Sequence, residues 1–369
     1  KKGKHFIGII GPRGVGKTVI LKQFSSINND RFYISMDTLE EVDLFELVKN
    51  LTEKYGYKII LIDEIHYQKD FIRNLKKIYD FLKVKIIFSS SVSFSLHEAS
   101  SDLSRRVELI NLNPFSFREY IYFKNDDILP PLSIDNIMQK NWQQAHLRYE
   151  YLFDDYLMGG LMPFSMEEPE VLPLLKNILK KIIRNDIPAF ARLHTDELPL
   201  LEKVVRFIGR SEVDGINYSS LSRNIGISKY KAESYIDLLK KAFVLHVVFP
   251  AGTNVLKEPK VLMQLPYRLL FKDFSETLGG LREDFAVGMM KMINAEVLYL
   301  KSTRGAKTPD YLLKSRSDDP VSTNIVIEIG GKRKGREQFK GIKIKKKLIL
   351  THPGTINDIK RPLFLFGFL

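Results

Sequence analysis

Phe6-Ile7-Gly8-Ile9-Ile10-Gly11-Pro12-Arg13-Gly14-Val15-Gly16-Lys17-Thr18-Val19-Ile20-Leu21 is the stretch on which the fold turns. It opens on a short apolar run, passes through a glycine-rich turn and leaves into a helical pattern over 17–27. This is the strand–loop–helix context in which the G-x-x-x-x-G-K-[ST] spacing cradles phosphate. Its glycines let successive backbone N–H groups curl round an anion, and the start of the following helix adds a favourable field. Lys17 is expected at the β- and γ-phosphates, and Thr18 is expected to hold Mg²⁺ through its hydroxyl. Gly11, Pro12, Arg13, Gly14, Val15, Gly16, Lys17, Thr18 and Val19 are therefore the expected ATP/ADP-binding residues.

The partner of such a loop is an apolar strand ending in acids. Ile59-Ile60-Leu61-Ile62-Asp63-Glu64 has that form. Asp63 is expected in the Mg²⁺ shell with Thr18, and Glu64 is expected to orient or deprotonate the attacking water. His66 follows, read either as a nucleotide sensor or as an ordinary hydrogen-bonded histidine. A further strand over 84–88 runs into Ser89-Ser90-Ser91, and Ser90 is the candidate polar sensor. Arg105 and Arg106 are candidates to stabilise charge on the leaving phosphates, in cis or from a neighbouring subunit; the alternative is a salt-bridged surface. Lys17, Asp63, Glu64, Ser90, Arg105 and Arg106 form the expected catalytic set. Asp37 follows a strand over 31–35 and is expected either near the nucleotide or as a residue that shapes its loop.

Working outward, short apolar runs at 6–10, 59–62 and 84–88 alternate with helical stretches at 17–27, 43–56 and 70–82. Runs this short between helices read as parallel strands covered on both faces, so residues 1–125 predict a three-layer α/β domain. Residues 126–197 predict a helical region over 138–158 and 170–186, broken at Gly159-Gly160 and Pro163. Residues 198–255 carry a helix over 200–210, a short helix over 219–224, a turn at Gly226, a longer helix over 228–241 capped by Ser228, and a strand over 244–249. That succession predicts a winged helix with Leu221, Ile225, Ile227, Tyr235, Leu238 and Leu239 as its small core. Residues 256–369 predict an α/β domain with a helix over 281–292, strands at 297–301, 311–314, 324–329 and 348–351, and an apolar end at 363–368.

The bulk numbers fit several domains. The chain has 369 residues, 44% of them hydrophobic, and a net charge of +13. Of that charge, +9 falls in residues 282–369. A basic tail on a near-neutral body points to a polyanion such as DNA, or to solubility alone. Zero cysteines exclude disulfides, thiolate metal sites and a thiol nucleophile, and fit a cytoplasmic protein. No apolar run reaches the ~20 residues needed to cross a bilayer, so no membrane role is expected. The basic N-terminus followed by an apolar strand looks briefly like a signal peptide, but the phosphate loop explains it better; further sequence is expected to precede it.

The order of Gly11–Thr18, Ile59–His66, Ile86–Ser91, Ser104–Arg106 and Asn113–Tyr120 resembles the prokaryotic, especially archaeal, AAA-type P-loop ATPases related to signal-transduction ATPases with numerous domains. Gly159-Gly160-Leu161-Met162-Pro163 and the winged-helix stretch Leu221–Val248 extend the resemblance over essentially the whole chain. It implies nucleotide contacts at Gly14, Gly16, Lys17 and Thr18, and magnesium and hydrolysis roles at Asp63 and Glu64. It also implies a tail similar to the restriction-endonuclease fold.

Endonucleases of that fold present Pro-Asp and then, on the next strand, an acid, one residue and Lys. Here Pro309-Asp310 and Glu328 fit, but Gly330 stands at the lysine position, with Lys332 as a displaced candidate. The expectation is a nuclease-like but inactive domain. The expected function is an ATP-hydrolysing switch, DNA-associated through the winged helix and tail, with a protein partner or self-association as further options. An ATP-regulated nuclease and a nucleotide-dependent scaffold are the alternatives.

Overall fold

The computed structural model describes residues 4–39, 42–93, 103, 105–191, 193–213, 216–252, 258–301, 308–314 and 324–369. The chain forms two compact units. The first comprises Lys1–Pro114, Asn177–Leu198 and Lys241–Phe243; the second comprises Phe115–Lys176, Pro199–Lys240 and Val244–Leu369.

The first unit is built on five strands, β1 (Phe6–Ile10), β2 (Arg31–Ser35), β3 (Ile59–Asp63), β4 (Lys85–Ser90) and β5 (Val107–Asn111), in the order β2-β3-β4-β1-β5. All pairings are parallel. The apolar runs of β1, β3 and β4 are continuous because these three inner strands are covered on both faces. Ile60, Ile62, Ile86 and Phe88 pack on one side with α2 (Leu44–Glu53) and α3 (Phe71–Phe81). Ile9, Leu61 and Ile87 pack on the other with Leu21 of α1 (Lys17–Ser25). The alternation of strand residues between faces thus produces three layers. Asp43 caps α2, accepting from the backbone N–H groups of Phe45 and Glu46. Helix α1 stops two residues before the expected end, where the Ser25 and Ser26 hydroxyls donate to the carbonyls of Lys22 and Gln23 and offer the backbone an alternative to the helix. Strand β4 runs on through Ser90, so Ser89 and Ser90 belong to the strand itself and Ser91 follows it.

Parallel strands present all their C-terminal ends along one edge. The chain leaves β1 for the far side of the sheet and returns through β3 and β4, opening a crevice at that edge. Residues 177–198 also belong to this unit. They hold the end of the helix Val171–Lys181, a π-helical turn Ile182–Asp186 and a short helix Ile187–Phe190 with proline in its first turn.

In the second unit, helix α4 (Phe117–Asn125) carries a reciprocal capping box of Ser116 and Glu119. The single helix expected over 138–158 is instead a series of short turns. The helix Ile134–Gln139 ends where Lys140 enters a left-handed conformation (φ 60°), a common way to stop a helix. Helices α5 (Leu198–Arg210), α6 (Tyr218–Ile225) and α7 (Lys229–Lys241) follow, with Gly226 turning at φ 77° and Ser228 accepting from the Lys231 N–H at 3.2 Å. Strands β6 (Leu245–Pro250) and β7 (Lys260–Met263) pair antiparallel as the wing. Leu221, Tyr235 and Leu239 are buried, joined by Ala232 and Ile236, while Ile225, Ile227 and Leu238 are only half-buried.

Strand β6 also pairs with β8 (Glu296–Tyr299), which makes a seven-stranded sheet with β9 (Tyr311–Lys314), β10 (Ile325–Gly330), β11 (Lys346–Thr351) and β12 (Lys360–Pro362) in the order β12-β11-β10-β9-β8-β6-β7. Strands β8, β9 and β10 form an antiparallel meander, and β11 returns parallel to β10. Helix α8 (Phe274–Met292) begins seven residues before the expected start. Gly280 lies inside the helix, and a Cβ there would come 2.8 Å from Arg268 Nε. The chain end 363–368 is a buried 3-10 helix whose Phe364 and Phe368 rings meet Phe117 at 6.0 and 5.8 Å. Among the described residues, no helix is long and apolar enough to cross a membrane.

Candidate nucleotide site

The phosphate loop leaves β1 at Gly11. A Cβ at Gly11 would lie 2.0 Å from the Leu112 carbonyl oxygen, so only glycine fits. Gly14 and Gly16 hold φ of 88° and 95°, the left-handed region that glycine enters without steric cost. Pro12 and Val15 are buried beneath the loop, whereas Val19 lies on the exposed face of α1. Lys17 Nζ is folded back into the loop, donating to the carbonyls of Gly11 and Pro12 at 2.8 Å each. Burial lowers its pKa to about 8, against the opposing pull of Glu64 and Asp63.

The end of β3 lies beside this loop. Thr18 Oγ1 donates to Asp63 Oδ2 at 2.7 Å, the Tyr33 hydroxyl donates to the same oxygen at 2.8 Å, and Ser89 donates to Asp63 Oδ1. No group of three or more His, Cys, Asp or Glu among the described residues is arranged to hold a metal. The oxygen pair of Thr18 and Asp63 still suits Mg²⁺, which keeps several waters and takes its other ligands from substrate phosphates.

Glu64 sits at φ 51° with its N–H on Ser89 Oγ at 3.0 Å. Its carboxylate accepts from the Ser91 N–H at 3.1 Å and lies 3.4 Å from His66 Nδ1 and 3.5 Å from Arg13 Nη2. Burial lowers the pKa of His66, which keeps the ring neutral at pH 7. Ser90 Oγ approaches His66 Nδ1 at 3.2 Å and donates to the Val92 carbonyl. Alternation along the strand end therefore divides the serines: Ser89 and Ser91 face the two acids, and Ser90 faces the histidine.

Arg13 makes a bidentate pair with Asp186, Nε to Oδ2 at 2.9 Å and Nη2 to Oδ1 at 2.8 Å. Burial alone would lower its pKa, but the Asp186 bond and the Glu64 charge outweigh it and hold the guanidinium above its usual value. Tyr67 donates to Asp186 Oδ1 at 2.7 Å. Sequence reasoning missed Tyr33, Tyr67, Ser89 and Asp186. The only hint of Asp186 is an acid that follows Arg184-Asn185 just before Ile187-Pro188, a pattern that normally marks a solvated turn. Asp37 accepts from Ser35 Oγ at 2.7 Å and lies 3.5 Å from Lys181.

Arg105 and Arg106 do not take the in-cis position beside the phosphates, and Arg106 takes the salt-bridged alternative. The Arg106 carbonyl accepts from Phe6 N–H at the start of β1, and Phe6 pairs with Val107 in β5. Both arginines therefore stand at the opposite edge of the sheet, about 13 Å along β1 from the phosphate loop. Arg106 Nε and Nη2 bind Asp80 at 3.0 and 3.1 Å, and Arg105 is exposed. Neither serves this unit's own phosphate site. They follow β4 closely in sequence, but a parallel sheet obliges the chain to cross back before β5 starts. Asp102 and Ser104 lie outside the described residues.

The second unit brings together Asp310, Glu328, Glu283, Lys260 and Lys334. Asp310 Oδ2 accepts from the Ile329 N–H at 2.7 Å, Glu283 Oε2 accepts from Lys260 at 2.7 Å and from Tyr311 at 2.6 Å, and Lys334 donates to Glu328. Burial, then the charges of Glu283 and Glu328, push Asp310 up to about 8. The lysine beside Glu328 is Lys334, correcting the expectation of Lys332. Its stem crosses over Gly330, where a Cβ would lie 2.6 Å from Lys334 Cγ. On the winged helix, Lys229 pairs with Glu258, while Tyr230 is exposed.

Residues 3–121 match the AAA domain family, and residues 150–264 match a domain of unknown function. An uncharacterized protein of Methanocaldococcus jannaschii is 27% identical over 92% of this chain and 78% of its own length. An uncharacterized protein of Haemophilus influenzae is 25% identical over 66% of this chain and 62% of its own length. Among solved structures, the Aeropyrum pernix ORC1 protein in complex with DNA aligns with a TM-score of 0.33 and 10% identity over 76% of this chain and 87% of that one. The Thermotoga maritima RuvB Holliday junction branch migration motor aligns with a TM-score of 0.28 and 16% identity over 66% of this chain and 81% of that one. The matched residues 3–121, with the strand–loop–helix and acid-tipped strand described above, are an ATP-binding AAA-type P-loop module.

Proposed function

We propose that this chain is a Mg-ATP-hydrolysing switch. The observation that carries it is the meeting of Lys17, Thr18, Asp63 and Glu64 at one edge of a parallel sheet. Thr18 and Asp63 would hold Mg²⁺, which draws charge from the phosphates as they transfer. Lys17 turns from the loop carbonyls to the β- and γ-phosphates. Glu64, released from Arg13 and the Ser91 N–H, orients the attacking water. The nucleotide state then governs the helical region 126–197, the winged helix 198–255 and the tail 256–369, in a cytoplasmic setting. Phosphate release by the purified chain, compared with Lys17→Ala and Glu64→Gln, tests this. Lys17→Ala should lose ATP binding, and Glu64→Gln should bind ATP but hydrolyse it far more slowly. Parent-like turnover in Glu64→Gln would remove that residue's role.

DNA association is supported by exposed Tyr230 at the start of α7 and by the nine Lys or Arg in residues 332–347. A mobility-shift assay across salt concentrations tests it, because a phosphate-binding surface loses affinity linearly in log salt. Absence of any shift at low salt would favour the protein scaffold.

A nuclease reading is favoured by one observation, the Lys334–Glu328 contact beside Asp310, which restores an acid–acid–lysine set. Plasmid incubated with Mg²⁺ or Mn²⁺, with and without ATP, tests it. Cleavage abolished by both Asp310→Ala and Glu328→Ala would sustain it.

A further inference from the structure

Asp186 has no side-chain exposure, yet it is tied to three separate loops. Its carboxylate accepts from Arg13 in the phosphate loop at 2.9 and 2.8 Å, from Tyr67 just beyond Glu64 at 2.7 Å, and from the Ser91 hydroxyl at the end of β4 at 3.4 Å. Arg13 lies 173 residues away in sequence. One carboxylate therefore joins segment 177–198 to the three loops that surround the phosphate site.

Arg13 Nη2 lies 2.8 Å from Asp186 and 3.5 Å from Glu64, so two carboxylates compete for one guanidinium. We propose that Asp186 is a positioning residue for ATP hydrolysis, acting through Arg13 to draw the guanidinium away from both Glu64 and the incoming phosphates. This rests on reading the first unit as an ATPase.

The charge arithmetic gives the direction. Asp186 neutralises Arg13 beside the phosphate loop, so the loop attracts a polyanion less than its own cations would. Asparagine at 186 keeps the shape and the Tyr67 bond while removing the charge. Arg13 is then free to pair with phosphate, which tightens nucleotide binding. It is also free to pair fully with Glu64, which makes that carboxylate a poorer base. Binding and turnover should therefore move in opposite directions. Loss of a purely structural support would weaken binding as well as turnover.

The full chain, Asp186→Asn, Asp186→Glu, Arg13→Ala and the double variant Arg13→Ala/Asp186→Asn are compared for ATP dissociation constant, kcat and KM. Asp186→Asn should bind ATP at least threefold more tightly and lose at least tenfold in kcat, and both effects should vanish when Asp186→Asn is made in Arg13→Ala. Asp186→Glu retains the charge, so it should not tighten ATP and should keep more of kcat than Asp186→Asn. Weaker ATP binding in Asp186→Asn, kcat within twofold of the parent, or the same changes in the Arg13→Ala background would each overturn the proposal. Should Asp186→Asn fail to fold, tightening of ATP by Asp186→Glu would overturn it. A parent that binds but does not hydrolyse Mg-ATP defeats the ATPase reading, whereas the shift in dissociation constant still reports the effect of Asp186.

Discussion

Thr18 stands in the first turn of α1, just after the loop that leaves β1, and Asp63 at the end of β3, with β4 between those strands, yet the threonine hydroxyl reaches the carboxylate at 2.7 Å. The contact spans 45 residues of sequence. It also ties the acid-tipped end of β3 to the helix that follows the phosphate loop.

If these two oxygens hold Mg²⁺, Thr18→Ala and Asp63→Asn should each remove most of the Mg²⁺ dependence of nucleotide binding. Hydrolysis should fall by about a hundredfold, the scale of losing a well-placed charge-stabilising group. Titrating fluorescent ATP with and without Mg²⁺ checks the first outcome, and phosphate release checks the second.

Lys17 gives ATP binding a pH dependence. Buried against the loop carbonyls, it loses its proton near pH 8 in the nucleotide-free chain. Phosphate favours the charged amine, so binding raises its pKa and takes up a proton. ATP affinity should be flat below about pH 7 and weaken as pH rises from about 8 to 9. Calorimetry in buffers of different ionisation enthalpy should find proton uptake near pH 8.5, absent in Lys17→Arg.

Gly11→Ala should destabilise the first unit. The new methyl would meet the Leu112 carbonyl oxygen at 2.0 Å, and Leu112 N–H is bonded to the Ile10 carbonyl, so neither strand end yields easily. Overpacking of this kind costs about 1–3 kcal/mol. Chemical denaturation would show it as a lower midpoint, and a midpoint equal to the parent's would contradict the contact.

In the second unit, Arg268 and Asp284 form a buried pair, with side chains 1% and 0% exposed and Nε to Oδ2 at 2.7 Å. Arg268→Ala strands the carboxylate and should cost about 3–5 kcal/mol. Arg268→Met with Asp284→Leu should recover much of that loss, because it strands neither charge. Recovery will be incomplete, because Arg268 Nη1 also donates to the carbonyls of Ile208 and Ser211 at 3.3 and 3.1 Å. Thermal melts of the three chains would rank them.

The elements easiest to read from sequence were those whose local pattern matched their burial. Ile59–Ile62 is apolar because both faces of β3 are covered, and Gly11–Thr18 is glycine-rich because its backbone turns there. The start of α8 was hidden because Gly280 owes its identity to a side chain packed on it from outside the helix, that of Arg268. Arg105 and Arg106 do not reach this unit's own phosphate loop, because they stand at the start of β5, at the other end of the sheet.

The sequence by itself determined the phosphate loop, the acid-tipped strand and the helix–turn–helix, because each depends on residues within a few positions of one another. Only the tertiary structure decided which serines face Asp63 and Glu64, that Lys334 lies over Gly330, and that Asp186 holds Arg13. Those contacts join residues from separate strands and turns, or follow from the side of a strand that a residue faces. Their polar side chains lose water and must find partners inside the fold, and which partners they find is set by how the chain crosses and returns along its sheets.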